Sequence, residues 1–410
     1  VYPMKRGKVV NILYSVTVSS ESTYDKLFSK SEKKPLQQAM KYHRLLCEGL
    51  SALDHVNVHV ISKLPINRSN FKKNYLKSES EIKNKVNYYY ISIVNLPLIK
   101  NVFAFFTVLY TVIKRCDRDT VIVGDVLNIT TSMANIMAAR IKGVKTIGIV
   151  TDIPSHLASS NKNSHTERIS RFKHFTVRLN NFILQKFDSY IFLTEQMNEL
   201  INKEGKPYIV MEGHIDSQVV KLRNTLEGKY PGIVCQYAGS LKKIYGIEKL
   251  TRAFIHANVE GSELHIYGDG DFVDELQQIC AQHPTIRYFG VKLNQYIVNE
   301  QLKSTLLINP RPTDEEYTKY SYPSKNMEYM ASGTPTLTTK LAGMPEEYYD
   351  YIYLIEDESL EGLTKTLQHV LGKSKEELHE KGLKAKEFVL LEKNNIVQAE
   401  KLLQLIQRIL

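Results

Sequence analysis

Short apolar runs rich in Val, Ile and Tyr alternate with longer stretches of helical periodicity from one end of the chain to the other. That alternation predicts parallel sheets with helices on both faces. In the first half, strands are expected at 8–14, 56–62, 87–95, 120–125, 145–151, 189–194 and 207–212, with helices near 34–53, 97–115, 130–142, 165–187 and 195–204. A polar segment, 214–230, interrupts the pattern. Strands then resume at 233–239, 263–267, 286–290, 305–310, 335–339 and 351–355. The last stretch, 374–410, reads as amphipathic helix with breaks near Gly382 and Asn394-Asn395. At 410 residues the chain is too long for one ordinary core. The pattern therefore predicts an α/β protein of two doubly wound domains: 1–213, a linker at 214–230, a second domain at 231–385, and a terminal helix, 386–410, packing back on the first.

The densest chemistry lies between 305 and 335. TLLINPRP (305–312) is an apolar strand that opens into a polar loop carrying Arg311. Open α/β sheets bind ligands at such strand ends. DEEYTKYSYPSKNMEYMAS (314–332) follows, closed by Gly333-Thr334-Pro335. Pro323 suits the first helical position, Ser321 or Ser324 the cap, and Gly333 with Pro335 the stop. The first N–H groups of such a helix suit phosphate oxygens. Lys325 and Glu328, three apart, share a helix face. Lysine neutralises a phosphate, and glutamate accepts hydrogen bonds from sugar or ribose hydroxyls.

Charge is unevenly distributed. Of the net +10, residues 1–213 hold 31 lysines and arginines against 17 acids, and the rest of the chain holds 23 against 27. A first half of that sign attracts anionic surfaces, whether phospholipid head groups, a lipid-linked pyrophosphate or nucleic acid. Nucleic-acid modules interleave aromatic and basic residues in recognisable patterns, and none is found. PLIKNVFAFFTVLYTVIKR (97–115) has an apolar centre too short to span a bilayer; it reads as a helix packed under the sheet or as a membrane-contact face. Cys47, Cys116, Cys235 and Cys280 lie far apart without ligand spacing, as expected of reduced thiols in a cytosolic protein. Met4-Lys5-Arg6 runs into the first strand without a signal-peptide pattern. Asp269 and Asp271 in GDGD (268–271) fit a strand-to-helix turn better than a metal cage, and no metal or cofactor is expected.

Four segments carry a family resemblance: VCQYAGSLKKIYGIEKLTRAF (234–254), ELHIYGDGDFVDEL (263–276), IRYFGV (286–291) and INPRPTDEEYTKYSYPSKNMEYMASGTPTLTTKLAGMPEEY (308–348). The chain resembles the GT-B glycosyltransferases, and more narrowly the retaining family four in its bacterial surface-polysaccharide branch. The resemblance implies two Rossmann-like domains facing across a cleft, with the donor held by the second. It implies donor contacts from Gly239, Ser240, Lys243, Gly268, Arg311, Tyr322, Ser324, Lys325 and Glu328. The family's arginine after the first glycine and its lysine before Gly246 are replaced by Ser240 and Tyr245, so Lys242, Lys243, Arg311 and Lys325 are the available cations, with Lys325 of the PSK triplet the first choice. Of the family's two glutamates, Glu328 is the second; the first falls on Tyr320, leaving Glu315 or Glu316 to supply a charge.

In the first half the family's glycine-rich acceptor loop is replaced by the hydroxyl-rich SVTVSSESTYDK (15–26). Asp152 keeps the acid of the family's strand-end His-Asp, whose histidine position is Thr151, with His156 one helical turn on. Asp125 ends its strand near where related enzymes place a histidine close to the reacting sugar, and Asp125 and Asp152 are the catalytic candidates. The resemblance thus implies metal-independent, retaining transfer of a sugar from a nucleotide diphosphate donor, a UDP-sugar first, to a lipid-linked or oligosaccharide acceptor. The enzyme would be cytoplasmic, with peripheral contact to an anionic membrane. The same fold admits an epimerase, a phosphorylase or a non-catalytic nucleotide-sugar-binding protein.

Overall fold

The computed structural model describes residues 9–29, 31, 34–35, 37–97, 99–153, 171–314 and 316–410. The candidates His156 and Glu315 lie outside the described residues. The chain forms two compact units, Val1–His214 with Asn395–Leu410, and Ile215–Asn394.

In the first unit, eight strands lie in the order Tyr208–Val210, Ser189–Phe192, Thr146–Val150, Thr120–Asp125, Val10–Val16, Val56–Ser62, Val86–Tyr90, Glu79–Lys83. Every neighbouring pair is parallel except the last. The strand order reverses between Val10–Val16 and Thr120–Asp125, which meet in register at Ser15 and Gly124. Such a reversal leaves a crevice beyond the carboxyl ends of the two strands. Glu79–Lys83 was not expected as a strand. It is a polar, mostly exposed edge paired antiparallel to its neighbour, so it carries no alternating apolar signal. The expected acceptor loop also differs, because Glu21–Phe28 is helical and capped by the Ser20 side chain on the Thr23 N–H. Glu81 holds this cap in place by accepting from the hydroxyls of Ser20, Thr23 and Tyr90.

The second unit has six parallel strands in the order Ile286–Tyr288, Ser262–Asp269, Ile233–Ser240, Leu306–Asn309, Thr336–Thr339, Tyr353–Ile355. The reversal falls between Ile233–Ser240 and Leu306–Asn309. Leu306, Leu307 and Ile308 are fully buried. Burial contributes roughly 1.5–3 kcal/mol per such side chain and fixes where the following loop emerges. The segment expected as a linker is mostly part of this unit: the buried Asn224 amide donates to the Ser332 carbonyl (2.9 Å) and the Thr334 hydroxyl (2.9 Å). Lys229 donates to the Ser304 carbonyl (2.9 Å) and to the same hydroxyl (2.8 Å), and burial brings its ammonium down to about 7.

Two glycines govern how the C-terminal helices pack. Helix Lys375–Glu392 runs straight through Gly382, where a break was expected. A Cβ there would lie 2.3 Å from the Gly333 carbonyl oxygen, so the glycine serves close approach to the turn that ends helix Ser324–Ser332. The chain does break at 393–394, and Asn395–Ile409 packs in the first unit against helix Gln37–Ala52. A Cβ on Gly49 would lie 2.1 Å from the Asn395 carbonyl oxygen, and the Asn395 amide donates to the Leu45 carbonyl (3.1 Å). Gly382→Ala is expected to destabilise the second unit by about 1–3 kcal/mol, as overpacking against rigid backbone does. Differential scanning calorimetry reads this as a Tm lower by several degrees, and an unchanged Tm contradicts the close packing.

Candidate functional site

The second unit's strand reversal gathers one group of residues at the carboxyl ends of its central strands. Gly239 and Gly268 stand opposite each other in the ladder. A Cβ on Gly268 would lie 1.7 Å from the Gly239 carbonyl oxygen, and its φ of 138° also disfavours a side chain. A Cβ on Gly239 would lie 2.0 Å from the Lys325 Nζ. The lysine ammonium thus occupies the space that any other residue at 239 would fill. Beneath it lies the Tyr237 ring, with Nζ 4.4 Å from the centroid.

Lys325 is the second residue of helix Ser324–Ser332. Pro323 sits at the N-cap rather than inside the helix and, being proline, supplies no side-chain capping bond; the Ser321 hydroxyl, expected as a cap, has no hydrogen-bond partner among the described residues. A helix start presents N–H donors and the positive end of the helix dipole to an anion. The helix is fixed from below by amides: Asn309 donates to Asn326 (2.7 Å), and Asn326 donates to the Thr338 hydroxyl (3.4 Å). One buried residue therefore ties the helix to the ends of two adjacent strands. Gly333, in the left-handed conformation at φ 77°, ends the helix as expected.

Arg311 joins this group from the loop after Leu306–Asn309. Its guanidinium stacks 4.8 Å from the Tyr317 ring and 5.8 Å from Tyr245, and its buried Nε has no hydrogen-bond partner among the described residues. The loop is held by Glu358, which accepts from the Thr313 N–H (3.0 Å) and hydroxyl, and by the Thr339 hydroxyl on the Arg311 carbonyl. Burial brings the Lys325 ammonium down to about 8; Glu328 opposes that shift and Arg311 adds to it. Glu328 is exposed one turn beyond Lys325. Two cations, a helix start and a carboxylate thus converge where two glycines bare the backbone. A diphosphate bearing a polyhydroxyl group fits that chemistry.

Not every expected residue joins the group. Lys243 is occupied on the surface by Glu275 (2.5 Å) and Glu248 (3.7 Å), and its N–H is taken by Asp271 (2.8 Å). Tyr322 is buried among Met327, Met330 and Tyr348, with its ring 5.1 Å from that of Tyr348, so its place is in the core. Ser240 ends its strand exposed, with its carbonyl taken by the Tyr237 hydroxyl (2.7 Å). Asp269 accepts the Gly270 N–H of its own turn, and Asp271 accepts the Lys243 N–H from the segment after the neighbouring strand. Tyr320 closes a short 3-10 turn that Glu316 opens. Sequence reasoning missed Tyr237, Tyr317, Asn309 and Asn326, whose roles come from strand register and leave no local motif.

In the first unit, Asp125 ends its strand beside the reversal and Asp152 follows the neighbouring strand Thr146–Val150. Asp125 accepts the Leu127 N–H (2.9 Å), and burial pushes its carboxyl up to about 6. His43, from helix Gln37–Ala52, lies 4.0 Å away and bonds the Tyr14 hydroxyl through Nδ1 (2.9 Å). Burial, then His214, brings His43 down to about 3, so near neutral pH it is an uncharged neighbour and forms no ion pair. Asp152 accepts the Ile153 N–H (2.8 Å). The His43 contact was also absent from the sequence reading, because it comes from a distant helix.

Residues 232–373 match the family model described as Glycosyl transferases group 1. The fold is that of known two-domain enzymes. The chain has the GT-B fold. Among solved structures, sucrose-phosphate synthase from Thermosynechococcus elongatus is similar over 97% of this chain and 99% of its own, at 13% identity and TM-score 0.68. The lipopolysaccharide outer core galactosyltransferase WaaB is similar over 98% and 100%, at 13% identity and TM-score 0.63. Anabaena Alr3699/HepE, solved in complex with UDP, is similar over 97% and 100%, at 13% identity and TM-score 0.62. No curated protein sequence matches the chain. The family match lies in the second unit, and the likeness of fold extends over nearly the whole chain.

Two outcomes follow from the charges at these strand ends. A bound diphosphate favours protonated Lys325, so nucleoside diphosphate affinity should be full below pH 8 and decline above it. Calorimetric titration should show that decline abolished in Lys325→Arg, whose guanidinium stays charged. For Asp125 the folded pKa lies above its unfolded value, so its stabilising contribution is complete below about pH 4 and is lost as pH rises through about 6. Asp125→Asn should therefore be more stable than the parent above pH 6 and show no such gain at pH 4. Equal urea midpoints at both pH values would contradict this.

Proposed function

We propose that this GT-B protein transfers a sugar from a nucleoside diphosphate donor, UDP-sugar first, to a hydroxyl of a lipid-linked or oligosaccharide acceptor in bacterial surface-polysaccharide synthesis. The observation that carries the reading is the Lys325 ammonium held against the bare backbone of Gly239 at the start of a helix whose N-cap is proline. In the reaction, the bond between the anomeric carbon and the diphosphate oxygen breaks, and a bond from the acceptor oxygen forms. The acceptor proton passes to the departing diphosphate. Negative charge grows on the leaving phosphates, and Lys325, Arg311 and the helix N–H groups are the preorganised partners for it. These protein cations do the work a metal ion performs elsewhere.

Glu328 accepts from the ribose hydroxyls in this reading, and Gly239, Gly268, Ser240 and Ser324 border the diphosphate. The first unit binds the acceptor, with Asp125 and Asp152 contacting it or the transferred sugar. Configuration is retained, as the resemblance of 308–348 implies. HepE in complex with UDP supports the choice of nucleotide, since the two chains share the fold over nearly their whole lengths.

A panel of nucleoside diphosphates tests the donor. UDP at a hundred times its dissociation constant should stabilise the protein by about 2.7 kcal/mol. Lys325→Ala should weaken UDP binding by roughly 10–150-fold, the equivalent of a lost charge-assisted contact of ~1.5–3 kcal/mol. With an extracted lipid-linked glycan as acceptor, the anomeric proton coupling in the product should match that in the donor. Donor isomerised without acceptor, or UDP that leaves the melting curve of the folded protein unmoved, rules the reading out.

A further inference from the structure

A second surface lies in the first unit, away from the strand-end groups. Helices Lys100–Arg115 and Ile129–Lys142 are successive crossovers that step the same way across a parallel sheet. Right-handed connections place both on one face, and the two pack against each other. Each buries a narrow side on the sheet, Ala104, Val108 and Val112 from one and Ala134, Ala138 and Ala139 from the other.

The outer sides are apolar too. Val102, Phe106 and Tyr110 are 58%, 61% and 65% exposed, and Ile99 and Phe103 flank them. On the second helix Met133, Met137 and Ile141, spaced every four residues, are 38%, 46% and 57% exposed. Singly exposed apolar residues are ordinary, but two adjacent stripes form a patch of the kind that marks a binding surface. Neither helix contains an acidic residue. Lys114, Arg115, Arg140 and Lys142 occupy their last turns, while Lys100, in the first turn of the first helix, donates to the Ile66 carbonyl.

We propose that this face docks on an anionic lipid surface, with Phe106 and Tyr110 entering the acyl boundary and the last-turn cations meeting lipid phosphates. Charge selects this occupant. A second copy presenting the same face would bring cations and no acid to pair with them, whereas anionic head groups complement a face without acids on a half-chain carrying the whole net positive charge. No helix among the described residues is long and apolar enough to cross a membrane, and the stripe has the layout of a helix that lies in the interface. The proposal concerns a surface that the donor reading does not use.

The chain has no tryptophan, so Phe106→Trp is a clean depth probe. On vesicles of phosphatidylglycerol with phosphatidylcholine, its emission should shift to shorter wavelength and be quenched by brominated acyl chains. On phosphatidylcholine alone it should not shift. Replacing Val102, Phe106 and Tyr110 together by Ser should lower co-sedimentation with the anionic vesicles about tenfold or more, at unchanged Tm. Lys114→Gln with Arg115→Gln and Arg140→Gln should weaken binding and flatten its salt dependence. The proposal is overturned if the serine variant pellets like the parent, if bound Phe106→Trp keeps its free emission, or if the serine variant loses only a dimer in sedimentation velocity. None of these measurements needs a donor or acceptor, so they fail or succeed independently of the transferase reading.

Discussion

The Lys325 ammonium stands in the volume that a side chain at Gly239 would occupy, and the rest of the second unit's chemistry depends on that contact. Burying a lysine end group disfavours its charge, and the lowered pKa near 8 registers the penalty. The Tyr237 ring offsets part of it from below, and Glu328 from one turn along the helix. A bound anion would offset more. With its pKa near 8 the ammonium is still mostly charged at neutral pH, and a bound anion would hold it charged further up the pH scale.

Several unrelated-looking residues keep that geometry in place. The amide of Asn326 ties the helix to the strands at Asn309 and Thr338, and Gly382 lets a long helix press on the turn at Gly333. Asn224 satisfies the Ser332 carbonyl at the far end of the same helix. The helix is therefore anchored at both ends, while its N-cap proline contributes no side-chain cap. A capping side chain in place of Pro323 would contribute roughly 1 kcal/mol.

The first unit follows a different logic. Its strand-end carboxylate, Asp125, is surrounded by groups that burial keeps uncharged, His43 and Tyr14 among them. Its charges lie on the outside, beside two helices with apolar outer stripes. Polar chemistry is thus gathered at the strand ends, and the helical face is left apolar with basic ends.

The sequence by itself determined the alternation of strands and helices, the two-core organisation, and the segment 305–335 as the place where cations meet a helix start. These were legible because buried parallel strands are nearly continuous apolar runs, and because glycine and proline mark turns locally. The hairpin strand Glu79–Lys83 was illegible, since an exposed edge needs no apolar pattern. Gly382 read as a helix break because sequence shows a missing side chain but not the backbone that needs its space. On paper Lys243 and Lys325 were both donor contacts, with Lys325 of the PSK triplet the preferred cation. Only the tertiary structure gave one to Glu275 at the surface and brought the other to Gly239, because strand register and helix docking decide which charges meet.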